Sequence, residues 1–260
     1  MGLTEQNKNQ VKELLKDCIL KKLDKYSPET MNMPFHYRLL GKDRMALYSF
    51  IQSVNTILGT SIYEQVAIAI AVTKFKTAQS QYEPHNEISS EAHRVIQSIM
   101  DEIKTASRTP DKKLELEQIR SKCQVGQMDN VKLTKVDILL ESYEGQLYLF
   151  DIKTVKPNRG NFIEFKRTLL EWAAAEMARN PEININTAIA IPYNPYEPKP
   201  YQRWTIVGIF DMANEIYVAD DFWDFLGGPG TYNDLLDCFE LAGIELRPKL
   251  DDYFSKFNNG

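Results

Sequence analysis

The chain has 260 residues, enough for a substantial core, and its 43% hydrophobic and 26% charged residues are the proportions of an ordinary globular protein. No apolar run approaches bilayer length, since the longest, residues 66–72, leads into Lys74 and Lys76; the polar N-terminus predicts no secretory signal. The net charge of −5 excludes a uniformly basic surface, so any site for phosphates has to come from segregated charge.

Segregation is visible. Acidic residues gather late in the chain (Asp220, Asp221, Asp224, Asp234, Asp237, Asp251, Asp252), whereas residues 122–167 are richer in lysine and arginine. Cys18, Cys123 and Cys238 are far apart and form no C-x-x-C pair, and no cysteine–histidine cluster has metal spacing. They read as free thiols of a reducing cytoplasm rather than as disulfides or a zinc site.

In chain order, apolar positions Val11, Leu14, Leu15, Cys18, Ile19 and Leu23 predict an amphipathic helix over 4–23. A second helix is predicted over 42–58 and ends at Gly59. A third begins at Ser61 and is apolar on most sides, which implies a buried helix. Residues 83–89 read as a break and 90–105 as a further helix. After Pro110 the pattern changes. Residues 136–140 and 147–154 are apolar and β-branched runs flanking Glu144-Gly145, which predicts a hairpin with both strands largely buried. A helix over 161–178 and a buried strand over 187–192 follow, and the helical connection predicts a crossover to a parallel neighbour. Residues 204–210 and 216–218 read as strands, and 222–226, 235–241 and 253–257 as short helices. The result is an α/β fold with a mixed sheet.

The chemistry points to that hairpin. Alternation along a strand sends Asp151 and Lys153 to one face, roughly 7 Å apart, and Asp137 on the adjacent strand meets Asp151 if the register allows. Three charged groups on strands this apolar are costly unless they compensate one another or bind a metal. Two converging carboxylates make a hard oxygen site suited to Mg²⁺, with Lys153 positioned to orient or activate water. A plainer alternative is that Asp137 caps a turn and Asp151–Lys153 is a strand-end ion pair.

This constellation resembles that of the PD-(D/E)xK nuclease superfamily, with Val136-Asp137 standing where the superfamily has Pro-Asp and Asp151-Ile152-Lys153 fitting the second half. The proline is missing; the aspartate is in place. Upstream, Phe35-His36-Tyr37-Arg38-Leu39-Leu40-Gly41-Lys42-Asp43-Arg44, Ser49-Phe50-Ile51-Gln52-Ser53 and Gly59-Thr60-Ser61-Ile62-Tyr63-Glu64 resemble the TdeIII/MjaII group of type II restriction endonucleases. The resemblance covers most of the chain. It implies a single restriction-endonuclease-like domain over 1–260, with a mainly helical part at 1–110, a catalytic α/β core at 111–220 and a C-terminal helical extension at 221–260. It also implies Mg²⁺-dependent cleavage of double-stranded DNA at a short palindrome of GGNCC type by a cytoplasmic homodimer. A cognate DNA methyltransferase is expected in the same system, though not as a physical partner.

Glu64 has two expected roles of equal standing. It completes a Ser61-x-x-Glu64 capping box, or it supplies the acidic group that a helix before the sheet often brings to the metal site in this superfamily. For DNA contacts, Lys132 and Lys135 precede the catalytic hairpin, Lys156, Asn158 and Arg159 follow it, and Lys166 lies on the next helix; Arg159 is favoured by its place beside Lys153. Two other readings stay open: a structure-specific or repair nuclease of the same fold, and a non-catalytic DNA-binding module.

Overall fold

The computed structural model describes residues 2–25, 33–153 and 158–255. The elements run α1 (Glu5–Lys25), α2 (Pro34–Leu40), α3 (Lys42–Ile57), a π-helical turn (Leu58–Ile62), α4 (Tyr63–Ala71), β1 (Thr77–Tyr82), β2 (Glu87–Ser89), α5 (Ser90–Lys104) and α6 (Lys112–Arg120). Then come β3 (Met128–Asn130), β4 (Val136–Glu141), β5 (Gln146–Ile152), α7 (Arg159–Arg179), β6 (Asn184–Ile191), β7 (Ile216–Val218), α8 (Asp220–Gly227) and α9 (Thr231–Ser255).

The main sheet has the order β1-β4-β5-β6-β7, while β2 and β3 form a separate antiparallel ribbon. β1, β4 and β5 are antiparallel neighbours, and β6 joins β5 in parallel after the α7 crossover, as predicted. The mixed α/β sheet flanked by helices is the fold class expected from the sequence.

Strand alternation divides the core into two layers. Leu147, Leu149, Ile185, Ile189 and Ile191 pack with α5, α6 and α7, whose contribution includes Ile99, Ile119, Phe162, Leu169 and Trp172. On the opposite face Ile138, Leu140, Phe150, Ile152 and Ala190 pack with Val66 and Ile70 of α4 and Phe222 and Leu226 of α8. Behind α4 and α8 lie α1 and α9, which meet along Val11, Leu15, Leu235, Cys238 and Ala242.

Several predicted elements differ. Residues 204–210 form turns, not a strand: Gly208 has φ 74°, and Ile206, Ile209 and Phe210 are buried while Trp204 and Val207 are exposed, which is not a strand's alternation. The helices predicted over 235–241 and from 253 are one, α9, which carries Gly243 and Pro248 inside it, while residues 256–257 lie outside the described residues. Its stripe of Leu235, Cys238, Ala242 and Leu246 is buried along its length, and this packing outweighs the local breakers. Gly59 does not end α3 either; it sits in the π turn that joins α3 to α4 without a break. β1, the β2–β3 ribbon and α6 were not anticipated. Among the described residues no helix is long and apolar enough to cross a membrane.

Candidate active site

The register Ile138↔Phe150 of β4 and β5, continued by one residue, sets Asp137 opposite Asp151. The Ile152 backbone N–H donates to Asp137 Oδ2 at 2.7 Å, so the Asp137 carboxylate continues the ladder at the sheet's end. Asp151 is buried, and its Oδ1 lies 2.5 Å from Lys153 Nζ. Lys153 Nζ also lies over the Phe165 ring of α7, 4.6 Å from the centroid. α4 enters from the opposite layer and brings Glu64, whose Oε2 accepts from Gln81 Nε2 at 2.8 Å. The four side chains named from the sequence thus belong to one electrostatic cluster, assembled from β4, β5 and α4.

The charges are unevenly compensated. The Asp151 carboxyl is raised to about 7, chiefly by burial; Lys153 opposes the rise and the Asp137 charge adds to it. Burial also raises Glu64, the Gln81 amide opposes this, and Asp137 adds to it. Three carboxylates therefore crowd one ammonium.

That excess of acid is what a divalent cation relieves. Asp137 stands opposite Asp151 at the sheet's end and its charge disfavours ionisation of Asp151, a repulsion that a cation with hard oxygen ligands would relieve. Among the described residues no three His, Cys, Asp or Glu side chains are already drawn in to metal-ligand spacing. The donor chemistry nevertheless fits Mg²⁺, which takes few carboxylates and keeps water and phosphate oxygens as its other ligands.

The capping-box role of Glu64 is overturned. The helix does not start at Ser61, because α4 continues from the π turn, and no side chain caps it. Ser61 Oγ instead accepts from Gln65 Nε2 at 2.6 Å, and Glu64 turns to Gln81.

The expected DNA contacts divide. Lys166 is a correction: it is fully buried on the inward stripe of α7, between Phe162 and Leu169, and its Nζ donates to Glu115 Oε2 and Glu215 Oε2 at 2.6 Å each. Lys112 completes this network through Glu215 Oε1 at 3.1 Å and Thr187 Oγ1 at 2.6 Å, so two cations and two anions balance inside the core. Asn158 N-caps α7, with Oδ1 accepting from the Asn161 N–H at 2.9 Å. Arg159 Nη1 donates to the Val207 carbonyl at 3.2 Å. Lys135 pairs with Glu83 at 2.8 Å, Lys132 is exposed, and Lys156 lies outside the described residues. Sequence reasoning missed Gln81, which lies on a polar strand that carries no hydrophobic signal.

An antiparallel hairpin running into a parallel crossover, sandwiched between helices and ending in two aspartates and a lysine, defines the class of restriction-endonuclease-like folds. Comparison with known families is more specific. The model of the family described as "Type II restriction endonuclease, HinfI" matches residues 3–243, and the chain belongs to that family of site-specific deoxyribonucleases.

Its relatives include the type II restriction enzymes HgiBI and HgiCII of Herpetosiphon aurantiacus, 23% and 24% identical over 266 aligned positions that cover 94% of this chain and 96% of each relative. The type II restriction enzyme MjaII of Methanocaldococcus jannaschii is 24% identical over 249 positions, covering 85% of this chain and 65% of that protein. The resemblance to MjaII read from residues 35–64 is borne out, within a family that carries the HinfI name.

Proposed function

We propose that the chain, acting as one unit over 1–260, hydrolyses phosphodiester bonds of double-stranded DNA at a short palindrome of GGNCC type, with Mg²⁺ held by Asp137 and Asp151 and with Glu64 assisting. The observation that carries the reading is Asp137 standing opposite a buried Asp151 that pairs with Lys153 at the end of an apolar sheet, with Glu64 near enough to feel the Asp137 and Lys153 charges and Asp151 pushed up to about 7 by burial and Asp137. Structural ion pairs balance; this cluster has surplus acid.

Mg²⁺ bound there would acidify a ligated water and offset charge on the scissile phosphate. Lys153 is held by its pairing with Asp151 and its contact with the Phe165 ring. Its ammonium would then donate to an attacking water or a developing phosphorane oxygen. Asp137, fixed by the Ile152 N–H, keeps one carboxylate oxygen turned to the ladder and leaves the other for the cation. Arg159 and Lys132 are proposed phosphate contacts, Lys135 becomes one if it exchanges Glu83 for DNA, and Lys156 retains its expected role. A palindromic target matches a homodimer with one site per strand. The cytoplasm and a cognate methyltransferase follow from the same reading.

The test is incubation of unmethylated plasmid DNA with the protein and Mg²⁺, beside EDTA and an Asp151→Ala variant. Discrete fragments lost in both controls support the reading, and sequencing their ends gives the target. Irregular nicking at branched or damaged DNA alone would point to a repair nuclease, and binding without cleavage to a non-catalytic module.

A further inference from the structure

Gln81 holds an unusual backbone conformation, with φ 53° in a residue that is not glycine. It lies within β1, not at a turn. Its neighbours are both in register, Ser80 opposite Ile138 and Tyr82 opposite Val136. The position between them falls opposite Asp137, and there the pairing is skipped. Tyr82 is fixed again by its hydroxyl, which donates to Glu176 Oε1 on α7 at 2.9 Å. The strand is therefore anchored on both sides of one left-handed residue, and the left-handed turn swings the Gln81 amide out of the pleat to Glu64 Oε2 at 2.8 Å. Local strain held in place by its flanks marks positions where a side chain has to be aimed.

We propose that Gln81 is a positioning residue, which orients the Glu64 carboxylate toward Asp137 and Asp151 so that α4 contributes to the cation site. The proposal rests on reading those carboxylates as a metal site. Three observations combine: the skipped pairing opposite Asp137, the positive φ, and the direct bond to the buried acid. Glu64 stands on a helix of the opposite layer, with Gln65 turned away toward Ser61, so the Gln81 amide is the bond that ties Glu64 to the sheet carrying the aspartates. A ligating carboxylate that loses its supporting donor typically loses about 10–100-fold in metal affinity.

Gln81→Gly is the informative change, because glycine adopts the left-handed conformation without strain and only the amide is lost. Gln81→Asn tolerates the same backbone but is too short to bridge. Mn²⁺ titration of the DNA-free protein by calorimetry, with thermal melts of every variant, reads the outcome. The expected result is an unchanged or higher Tm with at least tenfold weaker Mn²⁺ binding in both variants. Glu64→Gln should give the same loss, and Gln81→Gly combined with Glu64→Gln no further loss. Wild-type Mn²⁺ affinity in Gln81→Gly, or fully additive losses in the double variant, would overturn the positioning role alone. Absence of Mn²⁺ binding in the wild type, or binding indifferent to Asp151→Asn, would overturn the metal site itself.

Discussion

The N–H of Ile152 is bonded at 2.7 Å to the side chain of Asp137, not to a backbone carbonyl, so a residue proposed to bind metal also holds two strands in register. The two duties separate by substitution. Asp137→Asn keeps an oxygen for the Ile152 N–H and loses the charge, so Tm is expected within a few degrees of wild type with cleavage reduced by at least about 10³-fold. Asp137→Ala loses both, and orphaning that N–H adds about 1–3 kcal/mol of destabilisation. Thermal melts beside single-turnover cleavage check this; equal melting of the two variants would remove the structural duty.

Asp151 links stability to pH. Its carboxyl rests at about 7 in the folded protein against 3.8 unfolded. A raised acid favours folding where it is protonated, and that contribution is lost as pH rises through about 7. Without divalent ions the protein is therefore expected to melt lower at pH 8 than at pH 6. Asp151→Asn, always neutral, should remove most of that difference and stabilise the protein at pH 8 by about 1–3 kcal/mol while abolishing cleavage. A variant less stable than wild type at pH 8 would contradict it.

The same proton competes with the cation. Below about 7 Mg²⁺ has to displace it, so the Mg²⁺ concentration giving half-maximal cleavage should rise as pH falls, by up to about tenfold per unit. Cleavage measured across a Mg²⁺ series at pH 6, 7 and 8 checks this, and a half-saturation point independent of pH counts against Asp151 as a ligand.

Lys166 should behave as a core residue. Lys166→Ala leaves Glu115 and Glu215 facing each other without that cation, and the expected loss is about 3–5 kcal/mol. Lys166→Met with Glu115→Gln should recover part of it. Urea unfolding checks the first effect. The salt dependence of DNA binding, measured on the recovered variant, should keep the wild-type slope, whereas a phosphate contact would lower it by about one.

What the sequence made legible follows from where hydrophobicity repeats. β4, β5 and β6 are apolar on both faces, so their runs stand out and carry Asp137, Asp151 and Lys153 with them. The helix α7 was equally plain, yet Lys166, expected among the DNA contacts, falls on its inward stripe with Phe162, Leu169 and Ala173, where a lysine carries no hydrophobic signal. The α6 helix was hidden for a related reason. Its buried stripe is Lys112, Glu115 and Ile119, the correct helical spacing with the wrong chemistry for a hydrophobic pattern. As a polar edge strand half open to solvent, β1 offered no pattern at all, and Gln81 was lost with it. Glu64 was visible but ambiguous, and the uninterrupted entry of the chain into α4 removes the cap while leaving the catalytic role a proposal.

The two helices farthest apart in the chain run side by side in the same direction: the Leu3 N–H and Lys8 both bind Asp234, and Lys12 and Lys16 both bind Glu245. This pair forms the outer wall behind α4 and therefore behind Glu64. A nascent chain cannot close that wall until Glu245 has left the ribosome, long after α1 has been made. The wall behind Glu64 is therefore completed only once α9 is available, and a truncated product that stops short of α9 would carry every proposed catalytic residue without it.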